Sequence, residues 1–336
     1  MLYNKRHIYL RSPLRISLAG GGTDFESFYE QGESGHVVSS TIDLYNYVAV
    51  KDMFDSNVRV HHAEIETESI ASRIRHSYAR TALEHFGIFK GAEVILTSDV
   101  MTTGSGLGAS SAMMSSLILG CSSLRDKKIK DRHELAELTY RLEHEAGTIG
   151  GKQDQYATVF GGFNSINFTK NKISVRRVKI SDENLKRLEK RMFLVFTNIA
   201  RENRIIQTSL GENTNRPETK KYFLELRKLS HDFLAELESN NFNINRIGKL
   251  LHEGWKLKKS TNSHATNPYI DQLYDVLKRK GIIGGKVLGA GGGGFLLAFA
   301  NDIRTKEKIK YELYPNFVSL DLKFSSKGTE ILWKNF

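Results

Sequence analysis

Alternation of apolar and polar positions lays out the first half of the chain as strands. Over residues 8–18, Leu14, Ile16 and Leu18 share one face while Arg15 and Ser17 lie on the other, the two-residue period of a strand. The same reading gives strands over residues 36–50 and 57–66, then a helix over 69–86 that Gly87 stops. A short apolar run, Val94-Ile-Leu96, leads into Ser98-Asp-Val-Met-Thr-Thr-Gly-Ser-Gly-Leu-Gly-Ala-Ser-Ser-Ala-Met-Met-Ser-Ser116, and a helix-compatible run leaves it. Residues 131–146 predict a further helix: Asp131 and Glu134 have capping-box spacing, and Leu135, Leu138 and Leu142 share a face. Residues 150–162 read as a short helical segment between paired glycines, followed by strands at 163–168, 173–180 and 192–199. Helices then dominate, over 218–239, 244–260 and 268–280, before a β-rich part at 286–299 and 318–324. Neither a repeat nor a low-complexity linker interrupts this order. The pattern predicts an α+β protein with a domain boundary near residue 185.

Composition narrows the setting. The 336 residues are 40% hydrophobic and 26% charged, which is ordinary for a globular protein. No apolar run approaches the ~20 residues of a membrane span, and the opening Met-Leu-Tyr-Asn-Lys-Arg-His lacks the apolar core of a signal peptide. The expected location is therefore the cytoplasm, with no membrane partner. A single cysteine, Cys121, cannot form an internal disulfide and reads as a packed small residue on an apolar helix. The net charge of +11 allows nucleic acid, an anionic small substrate or simply a basic surface. Its longest basic cluster, Lys127-Lys-Ile-Lys-Asp-Arg132, carries no interleaved aromatics, so it reads as a solvated connection and nucleic acid is not expected.

Candidate chemistry centres on Gly104, Gly106 and Gly108, at a strand-to-helix turn where backbone N–H groups and the helix dipole attract anions. A Walker loop would need a lysine after its last glycine, and Leu107-Gly-Ala109 offers none. Gly104-x-Gly106-x-x-Ala109 fits a loose dinucleotide fingerprint, but the nearest acid, Asp126, follows a helix rather than a strand.

Three segments in order fit better: Ser12-Pro-Leu-Arg-Ile-Ser-Leu-Ala-Gly-Gly-Gly-Thr-Asp24, Gly104-Ser-Gly-Leu-Gly-Ala-Ser-Ser-Ala112 and Leu288-Gly-Ala-Gly-Gly-Gly-Gly294. Together they resemble the three motifs of the GHMP small-molecule kinase superfamily. Within it, these runs and Gly-Gly-Lys-Gln-Asp-Gln-Tyr156 are most similar to the D-glycero-D-manno-heptose 7-phosphate kinases, with the kinase part of fucokinases close behind.

The resemblance implies a two-lobed fold with the active site in the cleft between an N-terminal domain, residues 1–185, and a C-terminal domain, residues 186–336. It implies ATP as co-substrate, with phosphates on Gly104, Ser105, Gly106, Leu107, Gly108, Ala109, Ser110 and Ser111. Mg²⁺ would be held by Ser110 and Glu143, Glu145 pointing away; the residue chemistry alone also allows Ser110 or Ser111 to be a helix cap. Ala109 replaces a serine common in the family. Asp154 aligns with the catalytic aspartate and Arg15 with the basic residue of the first motif, which could keep Asp154 ionised and stabilise developing charge. Thr23, Asp24, Gly291 and Gly292 are the substrate-binding candidates, the late loop closing around the phosphates or substrate; the alternative for that loop is a hairpin-like turn between two core strands. Lys152, Lys258 and His264 are possible partners for a substrate phosphate. The implied reaction is phosphorylation of a sugar phosphate at C1 of D-glycero-D-manno-heptose 7-phosphate, for nucleotide-activated heptose and surface polysaccharide, by a monomer or homodimer. A fucokinase-like or other sugar-1-kinase and a catalytically silent sugar-sensing regulator are the alternatives.

Overall fold

The computed structural model describes residues 6–30, 32–100, 104–199 and 203–335. Met101, Thr102 and Thr103 on the approach to the glycine-rich loop, and the first five residues of the opening segment, lie outside them. The first third contains β1 (His7–Ala19), α1 (Glu26–Tyr29), β2 (Gly35–Asp52), β3 (Val58–His61), β4 (Ile65–Glu68), α2 (Ser77–His85) and β5 (Ala92–Ser98). Three helices follow, α3 (Ala109–Leu124), α4 (Arg132–Glu145) and α5 (Gln153–Phe160), then β6 (Phe163–Phe168) and β7 (Ile173–Arg177). Next come α6 (Asp182–Glu189), β8 (Met192–Phe196), α7 (Asn203–Asn213), α8 (Pro217–Leu237), α9 (Ile244–Thr261) and α10 (Pro268–Lys280). The chain closes with β9 (Ile282–Val287), β10 (Phe295–Ala300), α11 (Ile303–Leu313), β11 (Ser319–Asp321), β12 (Phe324–Ser325) and β13 (Glu330–Asn335).

Two sheets carry the fold, which is α+β as the pattern predicts. A nine-stranded sheet runs β13-β1-β2-β5-β3-β4, with β6 and β12 also on β2, and β7 on β6. The long β2 serves two neighbours because its Gly35–Ser40 half pairs with β6 and its Asn46–Asp52 half with β5. A four-stranded antiparallel sheet runs β11-β8-β10-β9. Residue 185 falls where the chain passes from β7 to β8, and β12 and β13 then return to the first sheet.

One apolar cluster joins Leu14, Ile16 and Leu18 of β1 to Leu229 and Phe233 of α8, Leu250 and Leu251 of α9, and Leu297 and Phe299 of β10. Each fully buried side chain of this kind contributes about 1.5–3 kcal/mol. On the other side of β1 and β2, α3 packs Met114, Leu117, Ile118 and Cys121 against Ile8, Leu10, Val48 and Val50. The approach is close: a Cβ on Gly120 would lie 2.8 Å from Val50 Cγ2. Buried serines of α3 return their hydroxyls to the chain, Ser115 Oγ to Ala112 O at 3.1 Å and Ser122 Oγ to Leu119 O at 3.0 Å.

Two predicted elements are divided. The strand over 57–66 is the hairpin β3–β4, turned where His62 N donates to Glu64 O at 2.9 Å. The helix over 69–86 is a single 3-10 turn at Ala71–Arg73 and then α2, because Glu66 accepts from Arg75 N (2.5 Å) and His76 N (3.0 Å) and pins the chain between them. Three helices, α1, α7 and α11, and the edge strand β13 were not predicted. Among the described residues no helix is long and apolar enough to cross a membrane.

Candidate active site

At the N-terminus of α3 the backbone is left open. Gly104, Gly106 and Gly108 have φ of +74°, +79° and +72°, the left-handed region that favours glycine. Gly108 is the N-cap of α3, and no side chain caps the helix, whereas Asp131, Ser181, Asn243, Asn267 and Asp302 cap α4, α6, α9, α10 and α11. Neither Ser110 nor Ser111 is therefore a helix cap. The loop is fixed from behind: Arg15 N donates to Leu107 O at 2.7 Å, Phe295 N donates to Ser105 O at 2.9 Å, and the Leu107 side chain is fully buried. Gly104, Ser105, Gly106, Gly108, Ala109 and Ser110 line a cavity. Uncapped amides, a positive helix end and an adjoining space suit a polyphosphate.

A second, polar cavity adjoins the first, and Arg15, Ser110 and Asp154 line both. Arg15 lies on the polar face of β1, yet is only 2% exposed, because that face looks into the cavity rather than to solvent. Its Nε donates to Asp154 Oδ1 at 2.7 Å, Nη2 pairs with Asp154 Oδ2, and Nη1 donates to Gly106 O. One planar guanidinium thus ties β1, the glycine-rich loop and the first turn of α5 together. A Cβ on Gly108 would sit 2.8 Å from Arg15 Cγ.

Asp24 follows the tight Gly20–Asp24 turn and is buried. It accepts from Gly22 N at 2.8 Å, and from Gln153 N and Gln153 Nε2 at 3.1 Å each, and so caps α5 from another part of the chain. Burial pushes its carboxyl up to about 6, with Asp154 adding to the rise and the Gly22 amide opposing it. Thr23 is also buried, but its hydroxyl donates to Gly20 O at 2.8 Å; it builds the turn and does not line either cavity.

Glu143 of α4 is fully buried, and its Oε2 accepts from Ser111 Oγ at 2.7 Å and Gln155 Nε2 at 2.5 Å. Burial pushes its carboxyl up to about 7, opposed by the hydrogen bonds from Ser111, Gln155 and Ser110. Oε1 has no partner. Ser110 is within hydrogen-bond reach of both Glu143 and the Tyr78 phenol. Glu145, two residues on, is exposed and faces Arg141. Among the described residues no three His, Cys, Asp or Glu side chains converge. An orphaned carboxylate oxygen beside a hydroxyl and the cavity at the glycine-rich loop nevertheless fits Mg²⁺, which takes hard oxygen donors and keeps several waters.

The remaining candidates separate. Lys258 lines the polar cavity and donates to Val287 O (2.8 Å) and Gly289 O (2.6 Å). Lys152 instead pairs with Glu137 (2.8 Å) and Glu26 (3.1 Å), and His264 Nδ1 turns to Asn262 Oδ1 at 3.2 Å. The late loop is the β9–β10 turn, and its Gly289 and Ala290 reach the cavity wall. Gly291 and Gly292 pack against Ala265 O and His264 O and are not lining residues. Sequence reasoning assigned no role to Ser17, Gln153, Gln155 or Lys286, all lining the polar cavity. Ser17 Oγ, Gln153 Oε1 and Gln155 Oε1 join Glu143 Oε1 as buried atoms without a partner among the described residues, a concentration of unmet hydrogen-bonding capacity in one place. The two glutamines flank Asp154 directly, which was the signal available.

Residues 71–162 match the GHMP kinases N terminal domain and residues 233–319 match GHMP kinases C terminal, together more than half the chain. The chain belongs to the GHMP kinases and is an ATP-dependent sugar kinase of that family. It is 28% identical to the D-glycero-alpha-D-manno-heptose 7-phosphate kinase of Campylobacter jejuni subsp. jejuni serotype O:2, over 96% of this chain and 98% of that protein. It is 23% identical to the bifunctional fucokinase/GDP-fucose pyrophosphorylase of Arabidopsis thaliana, over 93% of this chain but 32% of that protein. Among solved structures, a D-glycero-D-manno-heptose 1-phosphate kinase from Bacteroides thetaiotaomicron shares the fold, with a TM-score of 0.77 at 24% identity and 99% of each chain covered.

Proposed function

We propose that this kinase transfers the γ-phosphoryl of ATP to the C1 hydroxyl of D-glycero-D-manno-heptose 7-phosphate, giving the 1,7-bisphosphate for nucleotide-activated heptose and surface polysaccharide. The observation that carries the reading is the Arg15–Asp154 pair at the junction of a glycine-loop cavity and a polar cavity. The similarity to the Campylobacter jejuni heptose phosphate kinase along nearly the whole chain supports the acceptor.

In this reading the amides of residues 104–111 hold the phosphates of ATP, and the sugar lies in the polar cavity with hydroxyls on Asp24. The C1 oxygen attacks the γ-phosphorus as its bond to the β,γ-bridging oxygen breaks. The hydroxyl proton passes to Asp154, and ADP leaves. General-base assistance of this kind is worth ~10²–10⁴-fold. Arg15 holds the Asp154 carboxylate in place and offers positive charge where phosphoryl charge develops. Ser110 and Glu143 would hold Mg²⁺, which supplies charge neutralisation on the polyphosphate. The division at residue 185 is proposed to separate the unit bearing Asp154 from the unit bearing the late glycine loop.

A coupled ATP-consumption assay across free and phosphorylated sugars tests the assignment. Turnover of the heptose 7-phosphate well above that of L-fucose is expected; turnover of L-fucose without the heptose phosphate overturns it in favour of a fucokinase.

A further inference from the structure

Four lysines are buried among the described residues: Lys152, Lys258, Lys286 and Lys306. Three have clear partners. Lys152 pairs with Glu26 and Glu137, Lys258 donates to the carbonyls of Val287 and Gly289, and Lys306 pairs with Asp321 at 2.8 Å. Lys286 has neither a hydrogen bond nor an ion pair with any described residue, although it is only 6% exposed. It sits on β9, opposite Leu297 of β10, and lines the polar cavity with Arg15, Asp24 and Lys258. It does not line the cavity formed by the glycine-rich loop.

Burying an ammonium without a partner is unfavourable, and proteins ordinarily avoid it. Here burial pushes the Lys286 ammonium down to about 8, with Arg15 adding to the fall and Asp24 opposing it. The strand places this side chain at a cavity wall, where an anion entering the cavity would satisfy it.

We propose that Lys286 binds the phosphoryl oxygens of a reactant in the polar cavity, as a specificity or transfer contact for the kinase reaction. The inference rests on the reading of that cavity as the acceptor site. Two sources have the right chemistry, the acceptor's own phosphate and the phosphoryl group in transfer. A compact ammonium suits either, as a point charge rather than a bidentate fork.

The test uses the full chain with Lys286→Met, assayed with ATP and with a phosphorylated sugar and its unphosphorylated counterpart, alongside thermal denaturation without ligands. Loss of a charge-assisted contact predicts roughly a 10- to 100-fold fall in kcat/KM. If Lys286 reads the acceptor's phosphate, KM rises for the phosphorylated sugar alone. If it contacts the group in transfer, kcat falls on both sugars. In either case the ligand-free variant is at least as stable as the parent, because a buried unpaired charge has been removed. A ligand-free variant that is less stable or fails to fold marks a structural lysine and overturns the proposal, as do kcat and KM within twofold of the parent on both sugars. If the sugar panel names a different acceptor, the variant is assayed on that acceptor and its counterpart, so the failure of the acceptor assignment and of the lysine's role are separate results.

Discussion

Two glycine-rich loops meet in this protein, and they use the same residue differently. Around Gly104, Gly106 and Gly108, left-handed backbone borders a cavity and leads into the uncapped first turn of α3. Around Gly289, Gly291, Gly292 and Gly294 the backbone is left-handed as well, but only Gly289 lines the cavities, and Gly291, Gly292 and Gly294 approach protein closely. A Cβ on Gly291 would lie 2.4 Å from Ala265 O, and one on Gly294 would lie 2.4 Å from Gly104 O. The first loop leaves a helix end uncapped beside a cavity; the second reaches the cavities with Gly289 and Ala290 and packs its later glycines against protein. Glycine content is alike in both, so what each loop faces is the informative property.

Breaking the chemistry that the first loop serves has the largest expected effect. Asp154→Asn should lower kcat by ~10²–10⁴-fold while calorimetric ATP binding persists; a kcat near the parent's would move the proton acceptor elsewhere. Gly108→Ala comes next, since its Cβ would press on Arg15 Cγ at 2.8 Å in a left-handed position. A shift of the Arg15–Asp154 pair predicts about a 10²-fold fall in kcat/KM. In the second loop, Gly291→Ala should instead cost about 2–4 kcal/mol in urea denaturation, with KM for ATP retained by the folded fraction. Lost turnover at unchanged stability would erase the contrast between the loops.

Smaller effects sharpen the ligand side. Glu143 is raised from 4.5 to about 7 on folding and Asp24 from 3.8 to about 6, so the native state holds extra protons over those ranges. Their contribution to stability is present at low pH and is lost as pH rises through about 6 and then about 7. Thermal denaturation of the ligand-free protein between pH 5 and 8 should therefore show a shallower decline for Glu143→Gln than for the parent; parallel slopes would count against the burial of this carboxyl. Least of all, Ser110→Ala should raise the Mg²⁺ concentration needed for half-maximal activity, and an unchanged requirement would place the metal on other atoms.

Much of this was legible where periodicity or a motif was strong. The face shared by Leu14, Ile16 and Leu18, the α4 cap at Asp131 and the bounds of α10 follow from side-chain spacing and capping chemistry. Helix α7 was hidden because Ile205, Ile206 and Leu210 are its only large apolar residues and Gly211 lies within it. The break before α2 depends on Glu66 holding two distant amides, which no local pattern records. In the site, Arg15, Asp154, Ser110 and Glu143 were reached through the resemblance, and the structure brings them together. Lys286 was missed because one lysine in a strand beside glycines has no periodic signature. Thr23 looked like a ligand contact because turn-building and sugar-binding hydroxyls read alike until their acceptors are seen.

The strand that carries Arg15 lies between neighbours from opposite ends of the sequence: β2 begins at Gly35, while β13 pairs His7 with Asn335. Contacts of such separation close late, after the intervening chain has collapsed. During synthesis, β1 therefore waits until Glu330–Asn335 has left the ribosome before its second edge is covered. Until then it offers a bare flank to any passing strand, and chaperone protection of that flank would matter until β13 is made.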